Sequence, residues 1–308
     1  MDNQQITSVI NNNYFGGLID SDFGVYIHEF YPRGHLQLRP TINFVNTNFD
    51  LIEFCSYILK ANDINHHISF REATVGRDKK EIVIQRFRKC LDFTEKWNSF
   101  SIVRRPQLSL LKDFCYDRLR YVDEKGFKQN NTPYTDYQKN IAQQLKTLNC
   151  DYNYDTGFRN LTWAWLEGFL EGDGSICFVV SNDRIIPTID FTTESNTALA
   201  NIEELFTKNN IKFSVRVSRS RAEKRIRKGK PYKKCYNIYV RSFESLEILL
   251  ERLKENLIGK AQQRDLVLEY LELKRDNKFN TNTNWQIVEK VKNLNNRRYP
   301  RDYTRNFQ

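Results

Sequence analysis

A chain of 308 residues with 40% hydrophobic and 28% charged residues is too apolar to be disordered along its length, and it is long enough for two domains of ordinary size. Its 48 Lys plus Arg against 38 Asp plus Glu leave a formal charge of +10, which favours a polyanionic partner. No apolar run approaches the ~20 residues of a membrane span, and six widely spaced cysteines without a C-x-x-C pair exclude a small secreted disulfide scaffold.

In chain order, the pattern predicts an apolar helix over Asn12–Ser21, then strands at 24–31 and 36–46 around the turn Pro32-Arg33-Gly34-His35. A helix follows at 49–61, then a hairpin of 66–72 with 80–87, then helical stretches that include 107–119. His66-His67 reads as a polar strand edge rather than a zinc site, because the four histidines are scattered. The polar stretch 121–158 reads as a linker with one helix near 135–147. The same series then restarts. A helix over Thr162–Gly172 leads into strands at 174–181 and 185–194, joined by Asn182-Asp183. A helix at 196–208, a hairpin of 212–218 with 235–241 and helices including 261–274 follow. An Asn- and Arg-rich tail from about 276 holds one more helix near 284–295.

The restart is a duplication. YFGGLIDSDFG at 14–24 aligns with WLEGFLEGDG at 165–174, so that Asp173 follows Asp22 at an offset of 151. Pro40-Thr41-Ile42-Asn43-Phe44 matches Pro187-Thr188-Ile189-Asp190-Phe191 at 147, and Ile64 matches Ile211 at the same offset. Arg86 and Leu91 match Arg241 and Leu246 at 155. Loop insertions account for the small drift. The expected division is 1–120, a linker 121–158, and 159–308.

Both opening helices carry unusual chemistry. Gly17 and Ser21, and Gly168 and Gly172, stand four apart and so share a helical face. Interior Gly costs about 1 kcal/mol relative to Ala, so a repeated small-residue stripe points to close backbone packing, here between the two helices. Asp20 and Asp22, and Glu171 and Asp173, fall at helix C-termini, where the macrodipole disfavours carboxylates by about 0.3–1 kcal/mol each. Such acids brought together raise each other's pKa unless a cation neutralises them. A hard divalent ion, Mg2+ being suited to one or two carboxylates plus phosphate oxygens, would do so.

FGGLIDSDF and LEGFLEGDG resemble the two motif copies of the LAGLIDADG homing endonuclease family, in its single-chain form. The resemblance implies an α+β fold of two pseudo-symmetric αββαββα units, each with a four-stranded antiparallel sheet, together forming a saddle over DNA. It places the metal-binding acids at Asp22 and Asp173 and makes Asp20 and Glu171 structural. It also implies a basic residue near each catalytic acid. Lys260, in Gly259-Lys260-Ala261, fits in the second copy. The 155 offset carries it to Arg105 in the first, with Arg104 as the adjacent alternative. In the first copy Phe15 replaces the usual Leu, and Phe23 precedes Gly24 where Gly is usual.

Strand alternation offers a reading surface. Leu38, Pro40, Ile42 and Phe44 would face the helices, with Gln37, Arg39, Thr41 and Asn43 facing out. Phe213, Val215 and Val217 would point in, with Lys212 and Arg216 out; Asn237, Tyr239 and Arg241 form another outward set. Arg71 and Arg86 join them as expected DNA contacts. The hairpin tip within Ser218–Lys234 adds Arg225, Arg227, Lys228 and Lys230 as expected phosphate contacts.

The expected activity is metal-dependent, site-specific cleavage of double-stranded DNA at a long pseudo-palindromic target, leaving 3′ overhangs, by a monomer. An RNA-binding intron maturase of the same fold is the alternative, and a non-catalytic DNA-binding regulator a third. The start Met-Asp-Asn-Gln-Gln lacks a secretion or import signal. With AT-rich coding bias and the family, this points to a protein encoded and working in an organelle.

Overall fold

In the first unit α1 (Asn12–Asp22) runs without a loop into β1 (Phe23–Phe30), and the junction falls at the second motif acid. The computed structural model describes residues 12–72, 78–125, 133–150, 156–157, 161–181, 184–218, 234–276 and 281–296. The chain divides into two compact units, one reaching Tyr152 and one covering Asn153–Tyr299.

After β1 a single 3-10 turn at Pro32–Gly34 reverses the chain into β2 (Gln37–Asn46), and α2 (Phe49–Ala61) follows. Then come β3 (His67–Arg71), β4 (Lys79–Gln85), α3 (Phe87–Trp97), α4 (Arg105–Lys125) and α5 (Asp136–Cys150). The antiparallel sheet has the order β1-β2-β4-β3. The helices cover one face, where Phe15, Phe23, Phe44, Phe93 and Trp97 are almost fully buried. Phe23 stacks on Phe44 at 4.7 Å, and Phe15 and Phe93 pack against Trp97 at 4.7 and 4.8 Å. Burying each such ring contributes roughly 1.5–3 kcal/mol. Phe15 and Phe23, the departures from the usual motif, are thus core residues of this unit.

The second unit repeats the plan. It comprises α6 (Trp163–Asp173), β5 (Gly174–Ser181), β6 (Arg184–Thr193), α7 (Asn196–Lys208), β7 (Ser214–Val217), β8 (Tyr236–Val240), α8 (Phe243–Arg252), α9 (Ala261–Arg275) and α10 (Thr281–Asn295). Its sheet order is β5-β6-β8-β7. Register repeats as well: Phe23 pairs with Phe44, and Gly174 with Phe191.

Local signals repeat with it. Asn48 and Ser195 cap α2 and α7 by accepting from Leu51 N and Ala198 N, a device worth about 1 kcal/mol. Asp63 and Asn210 end those helices with positive φ, residue types that tolerate the left-handed region. The next amides, of Ile64 and Ile211, then reach back to Leu59 O and Phe206 O, both at 2.9 Å.

Helix α5 lies within the stretch 121–158 and belongs to the first unit's packing. Its Asn149 side chain donates to Val25 O at 2.7 Å, and its Gln138 donates to Asp117 at 2.8 Å. Helix α10 does the same in the second unit, where Asn295 donates to Ile176 O at 3.0 Å. The duplicated element series therefore extends two helices beyond the αββαββα core in each unit, α4 and α5 in the first and α9 and α10 in the second. Among the described residues, no helix is long and apolar enough to cross a membrane. Cys55, Cys90, Cys115 and Cys235 are buried thiols.

Candidate functional site

The motif acids divide into two kinds. Asp20 is buried, and its carboxylate accepts from Ser101 Oγ, Ile102 N at 2.6 Å and Arg104 N at 2.8 Å. Burial raises its pKa, and these donors oppose the rise. Glu171 is its counterpart. Its Oε1 accepts from Ile258 N at 2.5 Å and Gly259 N at 2.8 Å, and burial again raises the pKa against the pull of Lys260 and the backbone donors. Both acids thus anchor the loop that precedes the following long helix, α4 or α9.

Asp22 and Asp173 close their helices one step from the strands and are half-buried. Asp22 Oδ2 accepts from Asn46 Nδ2 at 2.7 Å. The Asn46 amide cannot flip freely, because its Oδ1 accepts from Asn48 N at 2.7 Å. The residue in the equivalent place of the second unit is Thr193, whose hydroxyl accepts from Ser195 N at 3.0 Å. Thr193 keeps the turn but has no amide to offer Asp173. Sequence reasoning missed Asn46. The available signal was its place two residues beyond the repeated Pro-Thr-Ile-Asn-Phe string.

The two basic candidates sit at the same joint. Lys260 precedes α9 and donates through Nζ to Glu171 O, two residues before Asp173. Arg105 opens α4, with Nε donating to Ser101 O at 3.1 Å and Nη2 to Ser99 O. Partial burial lowers its pKa while Asp20 raises it. Arg104 lends its backbone amide to Asp20. Lys260 therefore reaches the end of its motif helix directly, whereas Arg105 is tied to its own loop.

Of the small-residue stripe, Gly17, Ser21 and Gly168 are buried and Gly172 is half-buried. Ser21 turns its hydroxyl back to Leu18 O at 3.1 Å. Gly16 shows what the missing side chain permits. A Cβ there would stand 2.2 Å from the Phe100 carbonyl oxygen. At the equivalent place Glu167 instead accepts from Glu255 N at 3.0 Å and Asn256 N at 3.1 Å.

The sheet faces follow the expected alternation with two corrections. Leu38, Pro40, Ile42 and Phe44 are buried, while Arg39 is exposed and lies over the Phe30 ring at 4.5 Å. Gln37 is half-buried, and Asn43 donates to Glu81 at 2.8 Å. Thr41 shares that face but is only 4% exposed, because its short side chain sits in a central strand between cross-strand partners Tyr26 and Gln85. Val217, expected inside, is 45% exposed, since it ends the short edge strand β7.

Arg71 is exposed and paired with Glu81. Arg86 is exposed and precedes α3 with a φ of 78°. Lys212 and Arg216 are exposed, Tyr239 and Arg241 half-buried, and Asn237 accepts from Thr192 Oγ1 at 3.0 Å. Arg225, Arg227, Lys228 and Lys230 lie outside the described residues. His66 bonds Ser56 Oγ and Ile64 O, and burial lowers its pKa, so it is a structural group.

Among the described residues, no three His, Cys, Asp or Glu side chains gather as a metal shell. The donors that fit a divalent ion are carboxylate oxygens, which suit Mg2+ or Ca2+ rather than zinc. With so few of them, much of the coordination would fall to water and phosphate.

No protein-family model matches the chain, and no curated protein matches it in sequence. Solved structures do match. I-GzeII, a LAGLIDADG homing endonuclease crystallised in complex with DNA target, superposes with a TM-score of 0.65 at 13% identity, over 92% of this chain and 97% of that one. The chain has the LAGLIDADG homing endonuclease fold. I-LtrWI, bound to target DNA, gives 0.66 at 14% identity over 92% and 96%. I-SmaMI, bound to uncleaved DNA target in the presence of calcium ions, gives 0.65 at 12% over 93% and 99%. The LAGLIDADG fold thus spans nearly the whole chain, and at these identities the likeness is one of architecture.

Proposed function

We propose that this protein is a site-specific endonuclease that hydrolyses double-stranded DNA with Mg2+ and leaves 3′ overhangs. One observation carries the reading. Asp22 and Asp173 stand half-buried at the same helix-to-strand junction of two repeats, while their neighbours Asp20 and Glu171 are consumed in holding loops. Two acids at a matched, half-buried position, one from each repeat, suit a substrate with two strands. The solved relatives in fold were crystallised with DNA, and the net charge of +10 suits the same partner.

In this reading Asp22 and Asp173 each offer a carboxylate to divalent cations. Such ions supply Lewis acidity at the phosphate and lower the pKa of water. Asn46 holds the Asp22 carboxylate in one orientation, and Lys260 sets positive charge at the end of α6, where negative charge develops on the phosphate. With both motif copies on one chain, the protein would act as a monomer. Intron-encoded, organellar origin follows from the family and the coding bias.

The test is cleavage of targets selected from a random duplex library. Asp22→Asn or Asp173→Asn should abolish double-strand cleavage and leave duplex binding within about threefold, since binding rests mainly on phosphate contacts. Full cleavage by either variant removes that acid from the chemistry.

A further inference from the structure

The outward face of the second sheet carries two arginines over one tyrosine ring, where among the described residues the first carries one arginine over a ring, Arg39 over Phe30. Tyr239 lies on β8 between Asp190 of β6 and Ser214 of β7, its register partners. Two guanidinium groups flank its ring. That of Arg241 lies 4.6 Å from the ring centre, and that of Arg216 lies 5.9 Å away. They approach from opposite ends of the strand. Arg216 is level with Asn237, and Arg241 lies two residues beyond Tyr239 in the other direction. In the first unit the residue paired with Asn43, as Tyr239 is with Asp190, is Val83, and no cation–ring contact is built there.

A guanidinium held over an aromatic face loses less freedom when its fork engages a planar acceptor. Arg241 is half-buried, and its Nε is buried without a hydrogen-bond partner among the described residues. Arg216 is exposed. Asp190 and Arg241 both act on the half-buried Cys177. The edge of guanine, with O6 and N7 side by side, is the base edge that accepts a two-pronged arginine. Both guanidinium groups lie close enough to one ring to fall within about three base-pair steps of each other, at a rise of about 3.4 Å.

We infer that Arg216 and Arg241, braced by Tyr239, read two guanines within the half-site bound by the second unit. This rests on the endonuclease reading and names which residues choose its target. A phosphate contact carries no base preference, so it would act alike on every duplex.

The experiment is binding selection from a random duplex library by the full chain in calcium. It is repeated with Arg216→Gln, Arg241→Gln and Tyr239→Leu. The wild type should return guanine at two nearby positions in one half-site. Each Gln variant should lose that preference at one position only, roughly 5- to 150-fold, and turn it toward adenine, the base that Gln reads. Tyr239→Leu should weaken the preference at both. The inference is overturned if those positions carry no guanine. It is equally overturned if Arg216→Gln or Arg241→Gln weakens all duplexes alike, which would mark a phosphate contact, or changes nothing, which would leave Arg241 as a counter-charge for Asp190. Enrichment of no duplex by the wild type would instead overturn the endonuclease reading on which it rests.

Discussion

The two motif helices do the same job by opposite means. In the first unit the loop before α4 presses its backbone onto Gly16, with the Phe100 carbonyl where a Cβ would be. In the second, Glu167 stands at that place and holds the loop before α9 through the amides of Glu255 and Asn256. One contact is close packing made possible by an absent side chain, and the other is hydrogen bonding by an added one. Beside them Asp20 and Glu171 perform one role with two lengths of side chain. The duplicated backbone thus tolerates different chemistry wherever the loop amides still find an acceptor.

The strongest way to break this comparison is Asp20→Ala. It would strand the Ser101 hydroxyl and the amides of Ile102 and Arg104 in a buried place. With about 1–3 kcal/mol for each unsatisfied group, a loss of roughly 3–5 kcal/mol should appear in urea unfolding. A loss below 1 kcal/mol would mean that the loop does not depend on this anchor.

Gly16→Ala comes next, at about 1–3 kcal/mol, because the blocking atom is backbone and cannot rotate away. Glu167→Ala in the second unit should cost somewhat less, about 1–2 kcal/mol, since its loop amides can regain water. Equal tolerance of Ala at both places would erase the distinction between packing and bonding.

Asn46→Thr would copy the second unit into the first. It should keep the acceptor for Asn48 N and lose the donor to Asp22. Removing an outer partner of a metal-binding carboxylate typically costs 10- to 100-fold. Cleavage of one strand should slow about tenfold, so that nicked DNA accumulates in a plasmid assay while stability changes little. Unchanged kinetics would show that Asp22 needs no such support.

The smallest effect is a slope with pH. Burial raises the folded-state pKa of Glu171 above its unfolded value, so the folded state holds that proton more tightly. Stability must then fall as pH rises from the unfolded value through the folded one. Glu171→Gln keeps a side-chain acceptor for Ile258 N and Gly259 N and removes that slope. Stability curves of the two proteins that stay parallel across the acid range would show that Glu171 titrates normally.

Much of this was legible along the chain because it rests on local periodicity. The motif helices, the strand alternation around Ile42 and Ile189, and the repeated offsets required only neighbours in sequence. The division of labour within each motif was legible only through the resemblance to a family. The sites of error were places where distant neighbours decide exposure. Thr41 alternates outward yet is shaded by β1 and β4, and Val217 alternates inward yet ends an unprotected edge.

By itself the sequence determined the duplication, the α+β order of elements and the matched places of Asp22 and Asp173, since these follow from residue type and spacing. Only the tertiary structure decided that Asn46 holds Asp22 over 24 positions, that Glu167 and Gly16 answer each other, and that Tyr239 gathers two arginines. Hydrogen bonds and ring contacts form between groups that folding brings within a few ångströms, and no local pattern encodes which distant partner will arrive.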